Sequence, residues 1–122
     1  MSVVGLDHAF ITIPSGAEDE SRRFYGELLG LKEIPKPAGL GTPGVWFQAG
    51  NQELHLGAYE DHAAPKRPHP GFRVESVTAL EELAHRLDEA GVEPKWDDWI
   101  EGRKRFDVRD PFGNRVELLT DL

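Results

Sequence analysis

The sequence predicts an α+β fold made of two β-α-β-β-β modules, at about residues 1–60 and 65–122 of a single domain. Three observations carry this. His8 and His69 lie 61 residues apart, Gly30 and Gly91 lie 61 apart, and His55 and Glu117 lie 62 apart. Each pair holds the same place in its half: the opening strand, the helix stop and the last strand. A length of 122 residues suits one domain. A repeated unit of half that size cannot cover its own sheet, so two units are expected to pack together.

The elements follow in order. Leu6–Ile13 reads as a strand ended by Pro14. Ala17–Leu29 reads as a helix, with Ser15 and Glu18 as a capping box, Phe24, Tyr25, Leu28 and Leu29 as its apolar face, and Gly30 at its stop. Leu31–Ile34, Val45–Gln48 and Glu53–Gly57 complete the first module as strands. Gly71–Val74 opens the second. Thr78–Ala90 reads as its helix: Thr78 and Glu81 repeat the capping spacing, Leu80, Leu83, Ala84 and Leu87 form one stripe, and Gly91 repeats the stop. Val92–Lys95, Arg105–Val108 and Arg115–Leu119 are the closing strands, the last two joined by the turn signal Asp110-Pro111-Phe112-Gly113-Asn114. Pro35–Gly44, Ala58–Pro68 and Trp96–Lys104 read as loops too short to separate domains.

Composition narrows the function. With 39% hydrophobic and 30% charged residues the chain has the balance of a folded domain, which argues against disorder. No apolar run approaches the roughly 20 residues that span a bilayer, and the N-terminus has no signal-peptide pattern. A soluble cytoplasmic protein without a membrane partner is the expectation. A net charge of −8 argues against nucleic acid, whose phosphates call for clustered Lys and Arg. There is no Cys, so disulfides, thiolate ligands and a Cys nucleophile drop out together. Any metal must be held by His, carboxylate and water.

Strand alternation singles out four polar residues. Successive side chains of a strand point to opposite faces. Ala9, Ile11 and Ile13 therefore oppose His8, Phe10 and Thr12, and Leu54 and Leu56 oppose Glu53 and His55. Phe72 and Val74 oppose His69, Gly71 and Arg73, while Val116 and Leu118 oppose Arg115 and Glu117. The apolar sets would cover helices, leaving His8, His55, His69 and Glu117 on the opposite face. If that face curls into a cavity, the four converge. Neutral imidazole and carboxylate suit one divalent ion such as Zn, Ni, Fe or Mn, with positions left open for water or substrate. The plainer alternative makes each His a hydrogen-bonded strand-end residue and pairs Glu117 with Arg115 or Arg105. His62, in a loop, and His85, beside Arg86 in the second helix, read as surface residues.

At these positions the sequence resembles the vicinal oxygen chelate superfamily, which groups glyoxalase I, extradiol dioxygenases, fosfomycin-resistance proteins and bleomycin-resistance proteins. Leu6-Asp7-His8-Ala9-Phe10 looks like its opening strand with the first ligand. Arg23-Phe24-Tyr25 through Leu28-Leu29-Gly30-Leu31 resembles its first helix and exit. Glu53-Leu54-His55-Leu56 is similar to the strand that carries a Glu ligand in glyoxalase I, and His69-Pro70-Gly71-Phe72-Arg73-Val74 to the strand with the next His. Asp110-Pro111-Phe112-Gly113-Asn114-Arg115-Val116-Glu117-Leu118 resembles its closing hairpin with the last ligand. The resemblance implies a curved, mixed eight-stranded sheet around a metal cup, and a homodimer, with the cup built by one chain or shared between two. It leaves the reaction open. His55 stands where glyoxalase I has Glu, so Glu117 becomes the single metal-site carboxylate and the candidate catalytic proton carrier. The monovalent-cation loop of the fosfomycin enzymes is missing. Extradiol dioxygenases add a further His or Tyr beside the ligands, a place His55 fills only if it is not itself a ligand.

Arg73 and Arg115 share the expected cavity face, where each would either grip a substrate carboxylate or phosphonate or pair with a nearby acid. Phe10, Trp46, Phe47, Trp96, Trp99 and Phe106 are candidates for an aromatic wall, with Phe10 and Trp46 the ones placed at the substrate. For most of them core packing is the simpler reading. Two functions follow. One is a metal-dependent lyase, isomerase or dioxygenase acting on a small oxygen-chelating substrate. The other is a metal-free protein that sequesters a small ligand, as bleomycin-resistance proteins do.

Overall fold

The structure is a computed structural model and describes residues 2–122. The chain divides into two compact units, Met1–Ala63 and Ala64–Leu122. Each contains one β-α-β-β-β module and one mixed four-stranded sheet.

In the first module β1 (His8–Pro14) leads into helix α1 (Glu18–Ser21), which widens into a π-helical stretch over Arg22–Leu28. Strands β2 (Lys32–Ile34), β3 (Gly44–Ala49) and β4 (Gln52–Tyr59) follow. The strand order is β1-β4-β3-β2, with β1 parallel to β4 and the other pairs antiparallel. Ile13, Val45, Phe47, Leu54, Leu56 and Ala58 are buried on one face with Phe24 and Tyr25 of the helical segment. Tyr25 and Phe47 bring their ring centroids within 6.1 Å, which fixes the helical segment over that face.

The second module repeats the order with β5 (Gly71–Arg73), α2 (Val77–Glu89), β6 (Lys95–Asp97), β7 (Arg103–Arg109) and β8 (Arg115–Asp121). Its sheet runs β5-β8-β7-β6, again with one parallel pair, β5 and β8. Leu80, Leu83, Ala84 and Leu87 of α2 are buried with Phe106, Val108, Val116 and Leu118 of the sheet. The expected stripe is therefore the face that packs.

Both helices stop at the expected glycines by one device. Gly30 and Gly91 take φ of +80° and +84°, a region open to glycine at no steric cost. The next amide then bonds back over the helix end, Val92 N–H to Leu87 O and Leu31 N–H to Tyr25 O, both at 2.9 Å. The Leu31 closure is one residue wider because the π-helical stretch precedes it, where Leu29 N–H reaches Phe24 O.

The starts of both helices differ from expectation. Ser15 caps nothing: the Ser15-Gly16 step is a turn, closed by Ala17 N–H to Pro14 O, and Ala17 is the N-cap without a side-chain bond. Glu18, Asp19 and Glu20 in the first turn instead place negative charge at the positive helix end. The second helix is capped by Ser76, whose hydroxyl accepts from Ala79 N–H at 3.1 Å, so Thr78 lies inside the helix. Strand β6 begins at Lys95, not at Val92, because Val92 N–H is committed to the helix end and Pro94 has no N–H to give a ladder. Among the described residues, no helix is long and apolar enough to cross a membrane.

Candidate metal centre

In the first module, β1 and β4 run side by side with Phe10 opposite His55, and β3 places Trp46 opposite His55 on its other side. The same face therefore carries His8, His55 and Trp46, as alternation predicts. Their rings form a three-layer stack. His55 lies 3.5 Å from Trp46 with planes 5° apart, and 4.2 Å from His8 with planes 18° apart. His55 is only 6% exposed. Its Nε2–H donates to Glu53 Oε1 at 2.9 Å, since a carboxylate can only accept. His8 is held through its other nitrogen: Nδ1–H donates to Asp7 Oδ2 at 2.9 Å, leaving Nε2 open.

In the second module, His69 enters just before β5 and Glu117 sits in the middle of β8. The Glu117 amide bonds to Pro70 O at 3.0 Å, which brings the two side chains together. His69 Nδ1–H donates to Arg67 O at 2.6 Å, and its Nε2 lies 3.2 Å from Glu117 Oε1. With Nδ1 committed as donor, Nε2 is the nitrogen left for a proton or a metal ion.

Glu117 is buried, with 6% of its surface exposed. It is held by Arg105, whose Nη1 donates to Oε1 at 3.0 Å while its Nε donates to Asp97 Oδ1 at 2.8 Å. Burial opposes the Arg105 cation. The hydrogen bond to Asp97 and the fields of Glu117, Asp97 and Asp107 outweigh it and raise its pKa above the ordinary arginine value. Sequence reasoning named Arg105 only as a possible pairing partner. Alternation carried the signal: Phe106 and Val108 face the helix, so Arg105 and Asp107 must share the face of Glu117.

The structure thus brings the four predicted residues together as two pairs, one in each module. Among the described residues, no three His, Asp or Glu side chains are grouped so as to hold one ion.

The substrate candidates separate. Arg73 is exposed and paired with Asp121 at 2.8 Å. Arg115 pairs with Asp107 at 2.7 Å, yet it also lines a cavity of about 650 Å³ with Lys95, Arg109, Glu93, Val92 and Pro111 among its walls. That cavity lies within the second module and touches neither His69 nor Glu117. Phe10 is 54% exposed on the face of His8 and spreads over Gly57, where a Cβ would meet its Cζ at 2.6 Å. Phe47 and Phe106 are core residues on the opposite faces. Trp96 packs on Phe106 at 4.9 Å, and Trp99 is 86% exposed in the β6–β7 loop. Of the six aromatics, Phe10 and Trp46 alone share the histidine face of their sheet. His62 was read as a surface residue, but its Nδ1 lies 2.7 Å from Thr12 Oγ1, on the strand that begins with His8. Only the path of the β4–β5 loop, which spacing does not encode, could have revealed that. His85 pairs with Glu89 on the exposed side of α2.

The family model described as the Glyoxalase/Bleomycin resistance protein/Dioxygenase superfamily matches residues 5–118. No curated protein matches the sequence. Among solved structures, one assigned to the glyoxalase family from Bacillus anthracis shares 40% identity and superposes with a TM-score of 0.93, covering 100% of this chain and 98% of that one. Lactoylglutathione lyase from Agrobacterium tumefaciens shares 22% identity with a TM-score of 0.76, over 95% and 92% of the two chains. The fosfomycin resistance protein FosX from Listeria monocytogenes shares 16% identity with a TM-score of 0.78, over 98% and 95%. The last two likenesses show the fold.

Proposed function

Because the chain belongs to the Glyoxalase/Bleomycin resistance protein/Dioxygenase superfamily, we propose that it is a metal-dependent lyase, isomerase or dioxygenase for a small substrate with two neighbouring oxygens. One observation carries the metal. His8 and His69 each give Nδ1–H to an acceptor, Asp7 and the Arg67 carbonyl, and each keeps Nε2 for something else. A metal-binding histidine is usually held in this way, with the second nitrogen fixing tautomer and ring plane. The buried Glu117 carboxylate beside His69 Nε2 completes a donor set that fits Zn, Ni, Fe or Mn.

The proposed ligands are His8, His69 and Glu117. His55 enters as a fourth only through Nδ1, because Nε2 is bound to Glu53. Its position between His8 and Trp46 supports a different role, that of fixing the His8 ring. A bound divalent ion would supply Lewis acidity toward the substrate oxygens. Glu117 is the candidate proton carrier, and Phe10 offers an exposed apolar surface on the side of His8. The second-module cavity, lined by Lys95, Arg109 and Arg115 with Glu93, Asp107 and Asp110, supports a small polar substrate. We propose a homodimer, as the resemblance implies, and a cytoplasmic location.

Metal analysis of the purified protein, followed by calorimetric titration with Zn, Ni, Mn and Fe ions, tests the reading. One ion per chain at micromolar affinity or better is expected, with loss in His69→Ala. Absence of binding for all four ions would remove the chemistry. A second reading draws on the cavity, which none of the proposed ligands lines: a protein that sequesters a small polar molecule without metal. Ligand capture that survives chelator treatment and His69→Ala but fails in Arg115→Met would favour it.

A further inference from the structure

The proposed centre rests on how Glu117 presents its carboxylate, and the residue that controls this is Arg105. Arg105 Nη1 donates to Glu117 Oε1 at 3.0 Å, and His69 Nε2 lies 3.2 Å from the same oxygen. Among the described residues no side-chain donor falls on Oε2. The Arg105 side chain is 13% exposed and is not free to turn. Its Nε is fixed by Asp97 Oδ1, the same oxygen that accepts Trp99 N–H at 3.3 Å. A planar guanidinium fixed at one edge sets the direction of its other N–H groups. It therefore fixes Oε1 and, with it, the carboxylate plane.

Lys95, Arg103, Arg109 and Arg115 share this side of the sheet with Arg105, against Asp97, Asp107, Glu117 and Asp121. Arg105 is the cation that bonds Glu117 directly.

We propose that Arg105 is a positioning residue: it keeps Oε1 of Glu117 and thereby presents Oε2 as a one-oxygen ligand to the divalent ion. This rests on the metal reading above. The partner of a metal-bound carboxylate typically changes ion affinity by about 10–100-fold when removed.

The test is calorimetric titration of the full chain with Zn²⁺ alone, for wild type, Arg105→Met, Arg105→Lys and Asp97→Asn, with circular dichroism as the control for folding. Arg105→Met is expected to bind Zn²⁺ about 10–100-fold more weakly at unchanged stoichiometry. Arg105→Lys, which keeps a cationic donor but not the planar fork, should recover only part of the loss. Asp97→Asn should weaken binding in the same direction by a smaller factor, since the guanidinium stays but loses its charged anchor. If Arg105→Met fails to fold, the Lys and Asn variants decide by the same criterion. Equal or tighter binding in folded variants overturns the proposal and leaves the metal reading intact. No Zn²⁺ uptake by wild type overturns both.

Discussion

Replacing His55 by Phe separates a ligand from a support, because the ring survives while both nitrogens vanish. His55 stacks on Trp46 at 3.5 Å and on His8 at 4.2 Å, and a phenyl ring keeps both contacts. Two costs arise. Glu53 loses the N–H of His55, but 34% of its side chain is exposed, so water can replace the bond. That loss is about 0.5–1.5 kcal/mol. The phenyl ring is one atom larger in a buried position, which adds about 1 kcal/mol of crowding. Together the variant should lose about 2 kcal/mol, or roughly 6–10 °C in Tm for a domain of this size. It should therefore still fold. If His55 only holds the His8 ring, the Zn²⁺ affinity of His55→Phe stays close to wild type, while His69→Ala loses binding. The assay is the same calorimetric titration, run beside thermal unfolding monitored by circular dichroism. Loss of binding in a folded His55→Phe, equal to that of His69→Ala, would refute the reasoning. It would mean that His55 binds the ion through Nδ1 as a fourth ligand.

Three further outcomes follow from the geometry. Gly57→Ala puts a Cβ 2.6 Å from Phe10 Cζ and 2.7 Å from Tyr59 Cε2; both rings must retreat by about 1 Å, which their exposure permits at about 1–3 kcal/mol. NMR should show shifted Phe10 and Tyr59 ring signals in a folded protein, and unchanged signals would contradict the packing. Asp110→Ala removes the buried acceptor of Phe112 N–H, Asn114 N–H and Asn114 Nδ2–H; it should cost about 2–4 kcal/mol, read from denaturant unfolding. Ser76→Ala should cost about 1 kcal/mol by loss of the cap, while Thr78→Ala stays within about 0.5 kcal/mol, and the reverse order would restore Thr78 as the cap.

The parts legible in the sequence are those governed by a period. Alternation placed Leu54 and Leu56 against a helix and His55 away from it because the backbone alone dictates that choice. The same rule placed Glu117 opposite Val116 and Leu118. The 3.6-residue stripe of α2 was equally readable. Where two local signals compete, the sequence decides less. Ser76 and Thr78 both suit an N-cap, and the extended backbone at Ser76 chose the first. Val92 suits a strand by propensity, but its N–H closes the helix and Pro94 delays the ladder.

What period cannot supply is which nitrogen of a histidine is held, and by what. The Asp7 bond to His8 joins neighbours in sequence and could have been suspected. The Arg67 carbonyl that fixes His69 is a backbone group, invisible to any residue-type pattern. Yet these bonds give the four candidates their different weights. His8 and His69 keep Nε2, whereas His55 has given it to Glu53. His55, the odd member of the four by resemblance, is thus the stacked ring of the proposed centre, and His8, His69 and Glu117 are its three ligands. The carboxylate among the three depends on Arg105, a residue whose face was predictable but whose anchoring to Asp97 was not. A search for further members of this arrangement should therefore look for the acceptors behind the histidines and the donor behind the carboxylate, because those set the geometry that a ligand motif only lists.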